Sequence, residues 1–134
     1  MKDGNFLRSM IQPSSDGKSS DCYYNGVGDL NVHYSSGPAN HFFYLLSEGT
    51  KDGIPSKTCI KDLDKNVATG FGTIHGVGKN KATQIWYLAL SAYMTSSTNY
   101  AGAKDATINA CNDLYGIDSK VCITLIDSWN AVLV

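Results

Sequence analysis

Apolar side chains recur at helical spacing directly after the Gly-Pro pair at residues 37–38. Four of them fall on one face before Gly49, namely Ala39, Phe42, Phe43 and Leu46. Proline suits the first turn of a helix, and Ser36 before it is a candidate N-cap. The pattern therefore predicts a buried helix that begins near residue 37 and ends at Gly49.

Three more stretches show helical character. Residues 80–95 are dense in apolar side chains without Gly or Pro, which predicts a helix buried around most of its circumference. A third helix runs through Ala103, Ala106, Thr107, Ala110 and Leu114, and Gly116 is placed to end it. A fourth begins at a cap on Asp118 or Ser119 and carries an apolar stripe of Cys122, Leu125, Ile126 and Trp129.

The rest of the chain shows no sustained hydrophobic periodicity. Residues 1–36 are rich in Gly, Ser, Asp and Asn and predict an ordered loop, and residues 50–78 predict mostly irregular structure. No strand-like alternation or internal repeat stands out. The predicted fold is all-α: a helical bundle preceded by a long N-terminal loop region.

Length and charge narrow the class of protein. A chain of 134 residues can build one core, so residues 1–134 are expected to form a single domain. Lys plus Arg number 11 against 12 Asp plus Glu, which leaves no basic excess for nucleic acid. No apolar run approaches the length of about 18 residues that a membrane span needs. We therefore expect neither a nucleic acid nor a membrane partner.

The cysteine spacing leaves two alternatives open. Cys22, Cys59, Cys111 and Cys122 contain no CxxC pair, so a structural zinc site is a poor interpretation. They could form disulfides in any of three pairings, or pack as small apolar thiols. Low charge with abundant Ser, Thr, Asn, Gly and Tyr favours an extracellular protein, in which disulfides persist.

The residues that are candidates for catalysis lie just before the first predicted helix. No two histidines have HExxH spacing, and the chain has no GxSxG or P-loop motif. Asp29, Asn31 and His33 lie close together in sequence, with Arg8 upstream in the same loop region. A histidine oriented by a carboxylate or amide, beside an arginine, can donate hydrogen bonds to an oxyanion or a carbonyl.

The same segment carries a family resemblance that extends over nearly the whole chain. Residues 32–37 (VHYSSG) and 40–46 (NHFFYLL) resemble the C-terminal domain of thermolysin-like zinc metalloendopeptidases, the bacillolysin and pseudolysin type of peptidase family M4. Further matching segments occur in the same order: 6–10 with Pro13, 76–82, 85–87, 93–100, 113–116 and 129–132. The resemblance implies a mainly helical lobe that forms one side of an active-site cleft in a secreted enzyme.

Roles for individual residues follow from the resemblance alone. His33 matches the histidine that hydrogen-bonds the tetrahedral intermediate formed when zinc-bound water attacks a peptide carbonyl. Arg8 matches the arginine that binds the substrate carbonyl beyond the scissile bond, and Leu7 matches a wall of the neighbouring apolar pocket. The family aspartate that orients the histidine corresponds here to Asp29 or Asn31, of which we favour Asp29.

The resemblance also implies that part of the enzyme is missing. The family's zinc ligands and general-base glutamate, and most of its calcium ligands, lie upstream of the matching region. Asp3 or Asn5 could retain part of one calcium site. We expect Met1 to be an expression start within a longer protein, and these residues to bind no zinc and to be inactive without the N-terminal lobe. The alternative is a stand-alone, non-catalytic helical module that binds a peptide or protein.

Overall fold

A computed structural model describes residues 9–51 and 56–134. It contains a one-turn helix, α1 (Val32–Ser35), and four longer helices, α2 (Gly37–Glu48), α3 (Lys79–Leu88), α4 (Tyr100–Tyr115) and α5 (Lys120–Asn130). Two short 3-10 helices, Pro13–Asp16 and Val27–Asp29, precede α1. The described residues form no β-strand, only isolated bridges between Gly49 and His75 and between Thr58 and Gly70. The predicted all-α fold is confirmed.

Helix α2 lies where the sequence places it. It starts at Gly37 with Pro38 in its first turn, and the chain leaves it at Gly49, whose φ of 74° suits glycine. Ser36 precedes the helix as predicted, but its side chain makes no capping hydrogen bond to α2. Phe42, Leu45 and Leu46 are buried, so this helix is central to the bundle.

Helix α3 differs from the prediction in both its geometry and its burial. It ends at Leu88 and continues as one π-helical turn, Ala89–Tyr93. Ala82, Ile85 and Ala89 are buried, whereas Tyr87 is 73% exposed and Leu90 50% exposed. The expectation of burial around most of the circumference was therefore wrong. The helix lies at the edge of the bundle and packs on α2 and α4 through one face.

Helices α4 and α5 are capped by side chains at their first turns. Asn99 Oδ1 accepts a 2.8 Å hydrogen bond from the Gly102 N–H at the start of α4. Ser119 Oγ accepts one of 3.2 Å from the Cys122 N–H at the start of α5, so Ser119 rather than Asp118 is the cap. Gly116 ends α4 with a φ of 90°, as the sequence predicts.

The core is centred on one aromatic stack between α2 and α5. The rings of Phe42 and Trp129 are nearly parallel at 8°, with centroids 3.6 Å apart, and both side chains are fully buried. Aromatic contacts of this kind add about 0.5–1.5 kcal/mol to the stabilisation from burial. Aliphatic side chains from all four long helices surround the stack, including Leu45, Ile85, Ala110 and Leu125.

Two disulfides resolve the open question of the cysteines. Cys22 is bonded to Cys59, and Cys111 to Cys122. The first bridge joins the segment before α1 to the irregular segment before α3. The second joins α4 to α5 across the turn between them.

Candidate active site

His33 lies in the single turn of α1, which begins at a capped end. Asn31 is the N-cap, and its Oδ1 accepts a 3.0 Å hydrogen bond from the His33 backbone N–H. The predicted substrate-site residue Asn31 therefore stabilises the backbone that carries His33. The side chains of both residues lie at the protein surface.

The joint between α1 and α2 is held by hydrogen bonds from the side chains of Tyr100 and Ser36. The Tyr100 hydroxyl donates to the Ser35 carbonyl over 2.6 Å and accepts from the Ala39 N–H over 3.3 Å. Ser36 Oγ donates to the His33 carbonyl over 3.3 Å. Two carbonyl groups of α1 and one N–H group in the first turn of α2 thus find partners that a helix terminus otherwise lacks.

Close backbone packing fixes the same joint against the N-terminal segment. A Cβ placed on Gly37 would lie only 2.0 Å from the Ser20 carbonyl oxygen, so any larger residue would displace the backbone. The Ser20 N–H also donates to the Tyr34 carbonyl over 3.4 Å. Gly37 is therefore required for its small size.

A buried carboxylate organises the segment that packs on this joint. Asp21 is 1% exposed, and its side chain accepts hydrogen bonds from the Ser14 N–H, the Ser14 hydroxyl and the Ala68 N–H at 2.7–2.9 Å. Three donors compensate a buried charge that would otherwise be costly. Together with the adjacent Cys22–Cys59 disulfide, Asp21 makes the predicted ordered loop a fixed platform.

Asp29 does not contact the His33 ring through a hydrogen bond. It ends the 3-10 helix Val27–Asp29 at the surface, and no hydrogen bond or ion pair joins its carboxylate to His33 within the described part of the chain. The assignment of Asp29 as the orienting carboxylate stays a prediction. Asn31 reaches His33, but through the backbone N–H.

The remaining predicted residues fall outside residues 9–51 and 56–134. Leu7 and Arg8 are among them, as are Asp3 and Asn5, the two residues considered for calcium. Their roles stay as the resemblance implies.

Sequence reasoning missed a small apolar cavity beside the start of α2. It has a volume of about 230 Å³ and is lined by Met10, Ala39, Asn40, Phe43 and Trp86. These residues come from three segments that are distant in sequence, so no local sequence motif indicates the cavity. Ala39 links the cavity to the α1–α2 joint.

The two other histidines have positions unlike that of His33. His41, on α2, is fully buried, with Nδ1 2.8 Å from the Asp21 carbonyl oxygen and Nε2 3.0 Å from Ser56 Oγ. Burial lowers the pKa of His41, against opposing contributions from the Asp21 carbonyl and carboxylate. His75 is exposed in the segment before α3. Only His33 combines surface exposure with a side-chain-capped helical turn.

A metal site is not formed by the part of the chain that the structure describes. No group of three or more His, Cys, Asp or Glu side chains there could hold a metal ion. The described residues therefore do not provide a zinc site.

No described helix is both long and apolar enough to cross a membrane.

The sequence of this chain matches one family model and several known proteases. The thermolysin metallopeptidase alpha-helical domain matches residues 1–134. The transglutaminase-activating metalloprotease of Streptomyces mobaraensis is 43% identical over 130 residues, which cover 97% of this chain and 17% of that protein. Neutral protease B of Bacillus subtilis (strain 168) and bacillolysin of Bacillus cereus are each 34% identical, over 96% and 98% of this chain.

The chain corresponds to a limited part of these relatives. It spans 17% to 21% of their length. The match to the family covers every element of the bundle, including the turn that carries His33. The chain belongs to the family of the thermolysin metallopeptidase alpha-helical domain.

Proposed function

We propose that this chain is the C-terminal, substrate-binding half of a secreted zinc metalloendopeptidase, in which His33 stabilises the transition state of peptide hydrolysis. The observation that carries the proposal is the position of His33: an exposed imidazole on a one-turn helix whose ends are both held. Family membership supplies the reaction class.

The chemistry assigned to His33 is donation of a hydrogen bond. Attack on a peptide carbonyl places negative charge on the carbonyl oxygen, and an imidazole N–H aimed at that oxygen stabilises the charge. Such a donor must be positioned before reaction, because reorientation would consume the free energy it supplies. A capped turn whose joint with α2 packs closely against Ser20 meets this requirement.

The other predicted residues have supporting roles in the proposal. Arg8 binds the substrate carbonyl beyond the scissile bond, and Leu7 contributes to the apolar pocket for the side chain there. Asp29 is assigned the role of orienting the imidazole, while Asn31 caps α1.

Zinc, and calcium where the enzyme binds it, are assigned to residues outside the described part of the chain. The proposed partner that supplies them is the N-terminal lobe, and the isolated chain is proposed to be inactive without it. Two disulfides support secretion, since such bridges persist in oxidising compartments.

The test is His33→Ala in the full-length protease, with His75→Ala as the matched control. We expect His33→Ala to lower kcat by about two to three orders of magnitude with unchanged zinc content. His75→Ala replaces an exposed histidine outside the site, so kcat should stay within about twofold of the wild-type value.

Unaltered turnover in His33→Ala would remove His33 from the active site. If the full-length protein containing this chain cleaves no peptide substrate, the stand-alone binding module becomes the better interpretation. Saturable binding of a peptide by the chain alone would then support that alternative.

A further inference from the structure

Tyr100, the first residue of α4, contacts the His33-bearing turn at Ser35, which lies 65 residues earlier in the chain. Its hydroxyl donates a 2.6 Å hydrogen bond to the carbonyl of Ser35, the last residue of α1. The same oxygen accepts a hydrogen bond from Ala39 in the first turn of α2. One side-chain atom therefore connects the end of one helix to the start of the next.

The phenol ring itself is held by the core. Its centroid lies 5.4 Å from the ring of Tyr23 and 6.4 Å from the ring of Trp129, both in edge-on geometry. Burial raises the pKa of Tyr100 to about 12, so the hydroxyl keeps its proton and remains a donor across the physiological range. The contacts of the ring with Tyr23 and Trp129 connect the hydroxyl that holds the α1–α2 joint to the core of the bundle.

A four-residue helix needs such an anchor. An isolated single turn is unstable in water because it orders several residues for few hydrogen bonds. The Asn31 cap holds the start of α1, and the Ser36 hydroxyl bond stays within the turn and its flank. The two hydrogen bonds of Tyr100 come from a distant element, and its ring is partly buried against the core.

We propose that Tyr100 is a positioning residue for His33, which acts by fixing the α1–α2 joint through its hydroxyl. This inference rests on the proposed function of His33. It assigns to Tyr100 no contact with substrate. Because a positioned donor acts mainly in the transition state, loss of the anchor should lower kcat more than it changes KM.

The experiment compares Tyr100→Phe with Tyr115→Phe in the full-length protease. Tyr115 lies at the other end of α4, where its hydroxyl donates to Gln84 Oε1 over 2.8 Å, so both variants lose one donated hydrogen bond from the same helix. Tyr100→Phe should lower kcat by about threefold to tenfold with KM within twofold, in the range that one neutral hydrogen bond provides. Tyr115→Phe should leave both constants unchanged.

A double-mutant cycle with His33→Ala separates positioning from general destabilisation. If Tyr100 acts through His33, Tyr100→Phe should change kcat by less than about twofold once the imidazole is gone. An equal loss of kcat with and without His33 would overturn the inference. So would wild-type kinetics in Tyr100→Phe.

Amide hydrogen exchange provides a readout that does not depend on activity. Tyr100→Phe should accelerate exchange of the Ala39 amide by about tenfold or more, while Tyr115→Phe should not. Unchanged exchange at Ala39 would also overturn the inference. If His33→Ala alone keeps full activity, the proposed function fails; if it loses activity without coupling to Tyr100, only the positioning role fails.

Discussion

The indole N–H of Trp129 on α5 donates a 2.9 Å hydrogen bond to the Thr107 hydroxyl on α4, and both side chains are completely buried. The hydroxyl in turn lies 2.9 Å from the Ala103 and Lys104 carbonyl oxygens of its own helix. Thr107 therefore satisfies the polar atom of the largest core residue.

Thr107→Val should lower the free energy of unfolding by about 1–3 kcal/mol, because the indole N–H would be left buried without an acceptor while the side-chain shape is kept. Chemical denaturation measures the change. Thr124→Val, on the partly buried face of α5, is the control and should shift stability by less than about 0.5 kcal/mol. Equal effects would show that the Trp129 bond is not what stabilises this contact.

His41 should make the protein less stable in acid. Burial lowers its pKa in the folded state below the unfolded value of about 6.5, so the unfolded chain binds more protons at mildly acidic pH. The contribution of neutral His41 to the free energy of unfolding is present above pH 6.5. It is lost as the pH falls through the pKa that His41 has in the folded state. We expect the unfolding free energy to fall with a slope of up to about 1.4 kcal/mol per pH unit below pH 6.5.

The pH dependence is tested by chemical denaturation of His41→Gln between pH 4 and 8. This variant should be less stable at pH 7 but should show a flatter acid slope, whereas the exposed His75→Gln should keep the wild-type slope. An unchanged slope in His41→Gln would assign the acid sensitivity to other groups.

Removal of the Ser47 hydroxyl should stabilise the folded protein. Its hydroxyl is buried on α2 without a hydrogen-bond partner in the described structure. Ser47→Ala should raise the unfolding free energy by about 1 kcal/mol, since an uncompensated buried hydroxyl is eliminated. Ser128→Ala is the matched comparison, because that buried hydroxyl donates to the Thr124 carbonyl over 2.7 Å and its loss should not stabilise.

Arg8→Lys should impair catalysis in the full-length enzyme although the charge is kept. A lysine ammonium cannot reproduce the planar fork with which a guanidinium binds a carbonyl. Steady-state kinetics on a peptide substrate should show a lower kcat/KM for Arg8→Lys. Wild-type kinetics would remove Arg8 from the substrate site.

Local patterns predicted the fold well wherever one residue controls a boundary. Helix α2 begins at Gly37 and Pro38 and ends at Gly49, and Gly116 and Ser119 flank the turn before α5. These boundaries were predictable because caps and turns depend mainly on neighbouring residues. The burial of α3 could not be predicted in the same way. Tyr87 has an apolar ring like those of the core, and its exposure depends on where α3 lies in the bundle.

The candidate site was predictable only in part, because its support comes from distant residues. Family resemblance predicts a catalytic role for His33, and this role stays a prediction. The contacts of Tyr100 with Ser35, and the packing of Gly37 against Ser20, follow from tertiary structure that no local motif encodes. The disulfide pairing was likewise undetermined by spacing.

The platform formed by Asp21 and the Cys22–Cys59 bridge should make the segment before α1 resistant to proteolysis. Irregular surface segments are the usual points of proteolytic attack, because a protease needs an extended stretch of chain to bind. Here the segment before α1 is fastened at Asp21 by three hydrogen bonds and at Cys22 by a covalent link. In the secreted protease proposed above, these bonds should protect the segment that leads into the candidate active site from self-digestion.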